Sequence, residues 1–240
     1  MNNLDTAIPK AFFNSAIEYE IAKYRYEYLN EPLAYVLGRI EFCGLEFKTD
    51  QRAYAPTIET QLMVRHVIGH IRSNNEYKHV IDIGTGCGVI GLSIASLFPE
   101  LRVHCSDIIF QSIELARENG KRLNIDNVDY YIGDMLEAIP LNSNDRVLIV
   151  ANLPYGSPRH LLPSIELDRY LKCPPSSLFT KGLIDSYKEL IQQTVKRFTK
   201  FTVYCETGVL SKQQIEFEIP APCSLRYFSC GSYSWIKLAI

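Results

Sequence analysis

Four short stretches of this sequence carry groups able to do chemistry, and each follows an apolar run. Val80-Ile81-Asp82-Ile83 leads into Gly84-Thr85-Gly86-Cys87-Gly88. The run at 101–105 leads into Ser106-Asp107-Ile108, and the run at 128–132 into Gly133-Asp134-Met135. The run at 146–150 leads into Asn152-Leu153-Pro154-Tyr155. Runs rich in β-branched residues read as buried strands. In an open α/β sheet, ligands bind beyond the carboxyl ends of the strands. The glycines, the carboxylates and the Asn152 carboxamide are therefore expected to meet in one crevice.

The glycine turn limits the ligand. A dinucleotide loop needs a third glycine three residues after the second, and Val89 stands there. Glycines at every second position suit a ligand that lies along bare backbone without phosphates, such as S-adenosylmethionine. Asp107 falls about twenty residues past the turn, where a carboxylate accepts from both ribose hydroxyls. Asp134 is placed to accept from an adenine amino group. The predicted cofactor set is Asp82, Gly84, Thr85, Gly86, Gly88, Asp107, Ile108, Gly133, Asp134, Met135 and Asn152.

The elements that must position these groups alternate. Residues 5–29 read as one helix, with Phe13, Ile17, Ile21, Tyr24 and Tyr28 forming a stripe that packs on the neighbouring domain. Glu41-Phe42-Cys43 and Glu46-Phe47-Lys48 flank a Gly44 turn and read as a hairpin. Thr57 reads as the N-cap of the next helix, with Leu62, Val64, Val67, Ile68 and Ile71 on its buried side. Helices are also predicted after the glycine turn (89–97), at 111–123 and at 182–199. Strands at 201–205, 225–229 and 234–239 close the chain, the last two antiparallel across a tight turn. Residues 156–181 are proline-rich and read as a long functional loop. The predicted fold is α/β, a Rossmann-like, seven-stranded, mostly parallel sheet. Its expected division is an N-terminal helical segment at 1–31, a hairpin linker at 32–60 and a catalytic domain at 61–240.

Composition narrows the class. The chain has 240 residues, 47% hydrophobic and 22% charged, enough to bury a full core. Its net charge of −2 gives no basic footprint for nucleic acid. No apolar run approaches a membrane span, and no secretion signal is visible. Seven cysteines without a Cys-x-x-Cys pair argue against a zinc site and for a reducing cytoplasm. A membrane partner and a metal are thus not expected.

The motifs resemble those of S-adenosylmethionine-dependent methyltransferases acting on amide or exocyclic amino nitrogens. Their mark after the fourth strand is Asn (or Asp)-Pro-Pro-Tyr. Here Leu153 replaces the first proline, a spelling that adenine dimethyltransferases of ribosomal RNA share. Pro32-Leu33-Ala34-Tyr35-Val36-Leu37-Gly38, Glu41 to Phe47, Pro56 with Glu59-Thr60, Leu115-Ala116-Arg117-Glu118-Asn119 and Gly133-Asp134 narrow the resemblance to the release-factor glutamine N5-methyltransferases. It implies catalytic residues Asn152, Leu153, Pro154 and Tyr155, and substrate-binding residues Pro56, Glu59, Thr60, Asn152 and Tyr155. It also implies a protein or peptide acceptor, a peptide chain release factor, methylated on a glutamine side chain.

Two departures bear on the acceptor. Family members carry a longer N-terminal helical domain than residues 1–31. The loop Pro56-Thr57-Ile58-Glu59-Thr60-Gln61 lacks the family's arginine. One rival reading is therefore a small-molecule amine or amide, or a peptide, as acceptor on the same scaffold. Another is a nucleic-acid adenine, which the acidic balance counts against. In each case the Asn152 oxygen and the Leu153 carbonyl would take the two hydrogens of an NH₂ group, and Tyr155 would stack on the planar acceptor.

Overall fold

The chain folds around β3 (Tyr77–Ile83), whose alternating residues serve two cores. The computed structural model describes residues 3–141, 144–154, 168, 171–177, 184–208, 210, 212–216, 223–231 and 233–240. Val80 joins a core on one sheet face with Val103, Cys105, Leu148 and Val150. Ile81 and Ile83 join the other, with Val147, Ile149, Ala151 and Val203. Burial on both faces is why these strands read as continuous apolar runs and not as alternations.

The other sheet strands are β4 (Arg102–Asp107), β5 (Val128–Ile132), β6 (Arg146–Ala151), β7 (Phe201–Glu206), β8 (Ser224–Cys230) and β9 (Tyr233–Ala239). Their order is β5-β4-β3-β6-β7-β9-β8, with β1 and β2 apart in a separate hairpin. The pairs from β5 through β7 are parallel, and β9 runs antiparallel to both β7 and β8. The seven-stranded, mostly parallel sheet and the antiparallel closing pair are as the sequence predicts. From β3 the chain goes outward through β4 to β5, then returns to β6 on the other side of β3. The crevice between the carboxyl ends of β3 and β6 is the topological switch point where α/β sheets bind ligands.

Helices cover the faces. α4 (Thr60–Arg72) and α5 (Val89–Leu97) pack on the first core, and α7 (Asp185–Arg197) on the second through Tyr187, Leu190 and Ile191. α6 (Phe110–Arg122) follows β4. The hairpin of β1 (Arg39–Phe42) and β2 (Leu45–Lys48) turns at Cys43 and Gly44, with φ of 51° and 81°. Both values are left-handed, the geometry of a two-residue hairpin turn. Buried Asn119 on α6 fastens this hairpin to the glycine turn. It accepts from Lys48 N–H at 2.8 Å and donates to the carbonyls of Lys48 at 3.0 Å and Cys87 at 2.9 Å.

The N-terminal segment differs from the single helix expected. Pro9, which lacks a donor, separates α1 (Leu4–Ala7) from a 3₁₀ turn at Lys10–Phe12. α2 (Ala16–Glu27) starts anew at Ser15, whose side chain accepts from Glu18 N–H. Its buried face is Tyr19, Ala22 and Tyr26, packed with Leu4 and Val36. The expected stripe faces outward instead, with Ile17 74% and Tyr28 75% exposed. Tyr19 can turn inward because its hydroxyl reaches Asp5 at 2.5 Å. Half-buried Arg25 can follow because Glu31 pairs with it at 2.6 Å.

α4 differs too. Its N-cap is Glu59, which makes no side-chain cap bond. Leu62 is exposed, while Gln61 and Met63 are buried. The Thr57 hydroxyl lies 3.3 Å from that of Thr60, so it serves a side-chain network and not the helix end. The 156–181 loop lies largely outside the described residues.

Gly91 tests how tightly β3, β4 and α5 are joined. A Cβ there would lie 2.5 Å from Cys105 Sγ and 2.9 Å from Asp82 Oδ2. Replacing a helical glycine by alanine gains at most about 1 kcal/mol of propensity. Overpacking costs typically 1–3 kcal/mol, and it wins here because both obstructing atoms sit on buried strands. Gly91→Ala should therefore lower the urea midpoint at an unchanged m-value. A raised midpoint would contradict this packing.

Candidate active site

The turn after β3 is held from beneath. Asp82 is fully buried, and its Oδ2 accepts from Thr85 Oγ1 at 2.6 Å and from Gly91 N–H at 2.8 Å. Its Oδ1 has no hydrogen-bond partner. Burial pushes the Asp82 carboxyl up to about 6, against the lowering effect of those two donors. Asp82 thus sits under the turn as a strut, joining β3 to the first turn of α5. Gly84, Gly86 and Gly88 all have left-handed φ, at 69°, 57° and 90°. A side chain at Gly86 would meet only Ala53 Cβ at 3.8 Å, so the turn is open there. At Gly88 it would strike Leu92 at 2.7 Å, so that glycine serves helix packing.

Asp107 closes the turn from β4. Its Oδ2 accepts from Gly86 N–H and its Oδ1 from Ile109 N–H, each at 2.9 Å. The carboxylate keeps lone-pair capacity for a ligand hydroxyl. Burial raises the Asp107 pKa, opposed by the backbone donors. Ile108 and Asp134 are exposed. Gly133 N–H donates to the Asp107 carbonyl at 3.0 Å, which brings the β5 end beside the β4 end. Met135 follows with a φ of 43°, starting a 3₁₀ turn. The predicted cofactor residues on β3, β4 and β5 therefore lie along one edge of the sheet.

On the β6 side, the glycine turn touches the Asn-Leu-Pro segment. A Cβ at Gly84 would sit 3.3 Å from Leu153 Cδ2 and 4.0 Å from the Asn152 carbonyl oxygen. Asn152 Nδ2 donates to Thr60 Oγ1 at 3.3 Å. Thr60 Oγ1 in turn donates to Glu206 Oε2 at 2.7 Å. Tyr233 donates to the other Glu206 oxygen, so Asn152 reaches this carboxylate through the Thr60 hydroxyl. Glu206 is 1% exposed. Burial pushes its carboxyl up to about 7, against the lowering effect of the Tyr233, Thr60 and Asn152 donors and with a further push from Glu59. Behind this network the Tyr187 hydroxyl lies 2.5 Å from the Glu206 carbonyl and 3.2 Å from the Leu153 carbonyl.

Of the predicted substrate residues, Thr60 is buried in this network, while Glu59 is exposed. Pro56 and Thr57 line the mouth of a groove of about 540 Å³ walled by Phe12, Leu33, Leu37 and Ile40. Pro154 is half-buried, and Tyr155 lies outside the described residues. Glu206, Tyr233 and Tyr187 are absent from the predicted set. Glu206 carried the same signal as Asp107, a carboxylate just past an apolar run, here one residue beyond 201–205. The two tyrosines carry no local signal, since only the sheet order brings them to the site.

Known proteins resemble this chain in sequence and in fold. A family model described as a methyltransferase small domain matches residues 58–184, more than half of the chain. The release factor glutamine methyltransferase of Clostridium acetobutylicum is 36% identical over 149 residues, 58% of this chain and 52% of that protein. That of Buchnera aphidicola subsp. Schizaphis graminum is 27% identical over 214 residues, 83% of this chain and 74% of that protein. The chain thus spans between about half and three quarters of these relatives' length. The crystal structure of a ribosomal protein L11 methylase from Lactobacillus delbrueckii subsp. bulgaricus superposes with a TM-score of 0.57 at 17% identity, over 79% of this chain and 82% of that one. This likeness is one of fold. With the family match covering the glycine turn, Asp107, Asp134 and Asn152, the chain belongs to the methyltransferase small domain family.

Proposed function

We propose that the chain transfers a methyl group from S-adenosylmethionine to the side-chain amide nitrogen of a glutamine in a protein, with a peptide chain release factor as acceptor. The observation that carries this reading is the contact of the glycine turn with Asn152 and Leu153 across the β3–β6 crevice. The release factor glutamine methyltransferases among its relatives support the acceptor. No helix among the described residues is long and apolar enough to cross a membrane.

The residues present fit such a cofactor. Gly84 and Gly86 offer bare backbone in conformations that L side chains rarely adopt. Asp107 keeps acceptor capacity beside that backbone. When bound, the cofactor supplies an electrophilic methyl group on a sulfonium. The chain's own residues hold the nucleophile. An amide nitrogen is weak because its lone pair is delocalised into the carbonyl. Asn152 Oδ1 and the Leu153 carbonyl can each accept one hydrogen of the acceptor NH₂. Tyr187 occupies one side of the Leu153 oxygen, which has a second lone pair to offer. Two fixed acceptors aim the nitrogen and stabilise the positive charge that develops on it. Holding reactants in line is worth about 7–11 kcal/mol of barrier. No strong base is needed, because the proton can leave after transfer.

Two substitutions separate cofactor binding from transfer. Asp107→Ala should weaken S-adenosylmethionine by about 1.5–3 kcal/mol, as expected for hydrogen bonds to a charged group. Calorimetry showing unchanged affinity would remove Asp107 from the ribose site. Asn152→Ala should bind the cofactor within a few-fold of wild type. Its kcat on a release factor should fall by roughly 10²–10³, the scale for one positioned transition-state hydrogen bond. Wild-type turnover in this variant would refute the reading.

A further inference from the structure

Asn152 can serve transfer only if its oxygen, and not its NH₂, faces the acceptor. The two ends of a carboxamide are nearly the same shape, so packing alone does not choose between them. The choice here is chemical. Behind Asn152 stands Glu206, buried at the carboxyl end of β7, with Thr60 at the start of α4 between Asn152 and the carboxylate. An ionised carboxylate only accepts. The Thr60 hydroxyl has given its proton to Glu206 Oε2 at 2.7 Å, so toward Asn152 it too can only accept. Thr60 Oγ1 therefore requires a donor from Asn152, and the Nδ2 end supplies it at 3.3 Å. The Oδ1 end is left for the acceptor side.

Resting on the transfer reading above, we propose that Glu206 is a positioning residue for methyl transfer, whose carboxylate takes the Thr60 proton, leaves Thr60 Oγ1 as an acceptor for the Asn152 NH₂ group and so presents Asn152 Oδ1 to the acceptor nitrogen. The remaining contacts keep the carboxylate in this role. Tyr233 on β9 donates to its second oxygen, and Tyr187 on α7 donates to its backbone carbonyl. The titratable groups around it are thus Tyr233, Tyr187 and Glu59 at the start of α4. Burial raises the Tyr233 hydroxyl well above its ordinary range, so it stays a donor at neutral pH. Protonating Glu206 would add a donor where the site needs an acceptor, so transfer should require its ionised form.

The test combines Glu206→Gln with Asn152→Asp, measured singly and together. Glu206→Gln places an NH₂ where the carboxylate stood and favours the reversed Asn152 amide. Its kcat on a release factor should fall at least tenfold, with cofactor affinity within a few-fold of wild type. The wild-type kcat should rise with pH through about 7, and that inflection should be missing from Glu206→Gln. Asn152→Asp sets a second carboxylate against Glu206 and should also be slow. Combined, the two changes restore a donor behind and an oxygen in front, so the double variant should exceed both single variants. A structural role alone would make the double variant the worst of the three.

The fold is checked independently. Because the folded-state pKa of Glu206 is raised, its ionisation costs stability that is lost as pH rises through about 7. Glu206→Gln should therefore keep or raise the urea midpoint at pH 8 while activity falls. Side-chain NMR decides the orienting role without turnover. The Asn152 NH₂ resonances, assigned by their absence in Asn152→Ala, should shift with Glu206 ionisation and lose that response in Glu206→Gln. A wild type that methylates no release factor would refute the acceptor named above and leave the resonances to decide. Asn152 resonances indifferent to Glu206, or a Glu206→Gln enzyme at wild-type kcat beside a slow Asn152→Ala, would overturn the proposal.

Discussion

A carboxylate buried at the end of a strand is costly unless donors surround it, and this site is built on three of them. Asp82 is the last residue but one of β3, Asp107 ends β4 and Glu206 ends β7, and each is less than a tenth exposed. Each is met by donors from a loop or helix that must be held still. Asp82 takes Thr85 and Gly91, Asp107 takes Gly86 and Ile109, and Glu206 takes Thr60 and Tyr233. The charge cannot move without losing these bonds, so the loops cannot move either.

Burial raises all three acids above their ordinary range. A carboxyl with a raised folded-state pKa favours the fold below its unfolded value, and that contribution is lost as pH rises through the folded value. The site is therefore less stable when charged and functional than when neutral. This is the pattern of a site organised for binding and transfer at some expense to the scaffold. The apolar strands on both sheet faces supply the compensating stability.

Much of this was legible in the sequence. Val80 to Gly88 read as strand, turn and helix because burial on both faces leaves a β-branched run and the turn needs glycine. Asp107 and Asn152 were legible because a polar residue just past such a run has few other places to point. What could not be read depends on choices made in three dimensions. α2 has apolar residues on two faces, and the buried one is the face whose tyrosine hydroxyl finds Asp5. Pro9 was a local signal, and it divides the segment that periodicity alone made continuous. Tyr233 and Tyr187 come from β9 and α7, and no spacing announces that β9 inserts between β7 and β8.

If the glycine turn and Asn152 form one site for methylating a planar amide nitrogen, the transferred methyl must end on that nitrogen. Supplying S-adenosylmethionine with a deuterated methyl group and a release factor, then locating the label by fragmentation mass spectrometry, tests this. One deuterated methyl is expected on a glutamine side-chain nitrogen, transferred by the wild type and far more slowly by Asn152→Ala. Label on an oxygen, a carbon or a lysine, or equal transfer by both proteins, would contradict it.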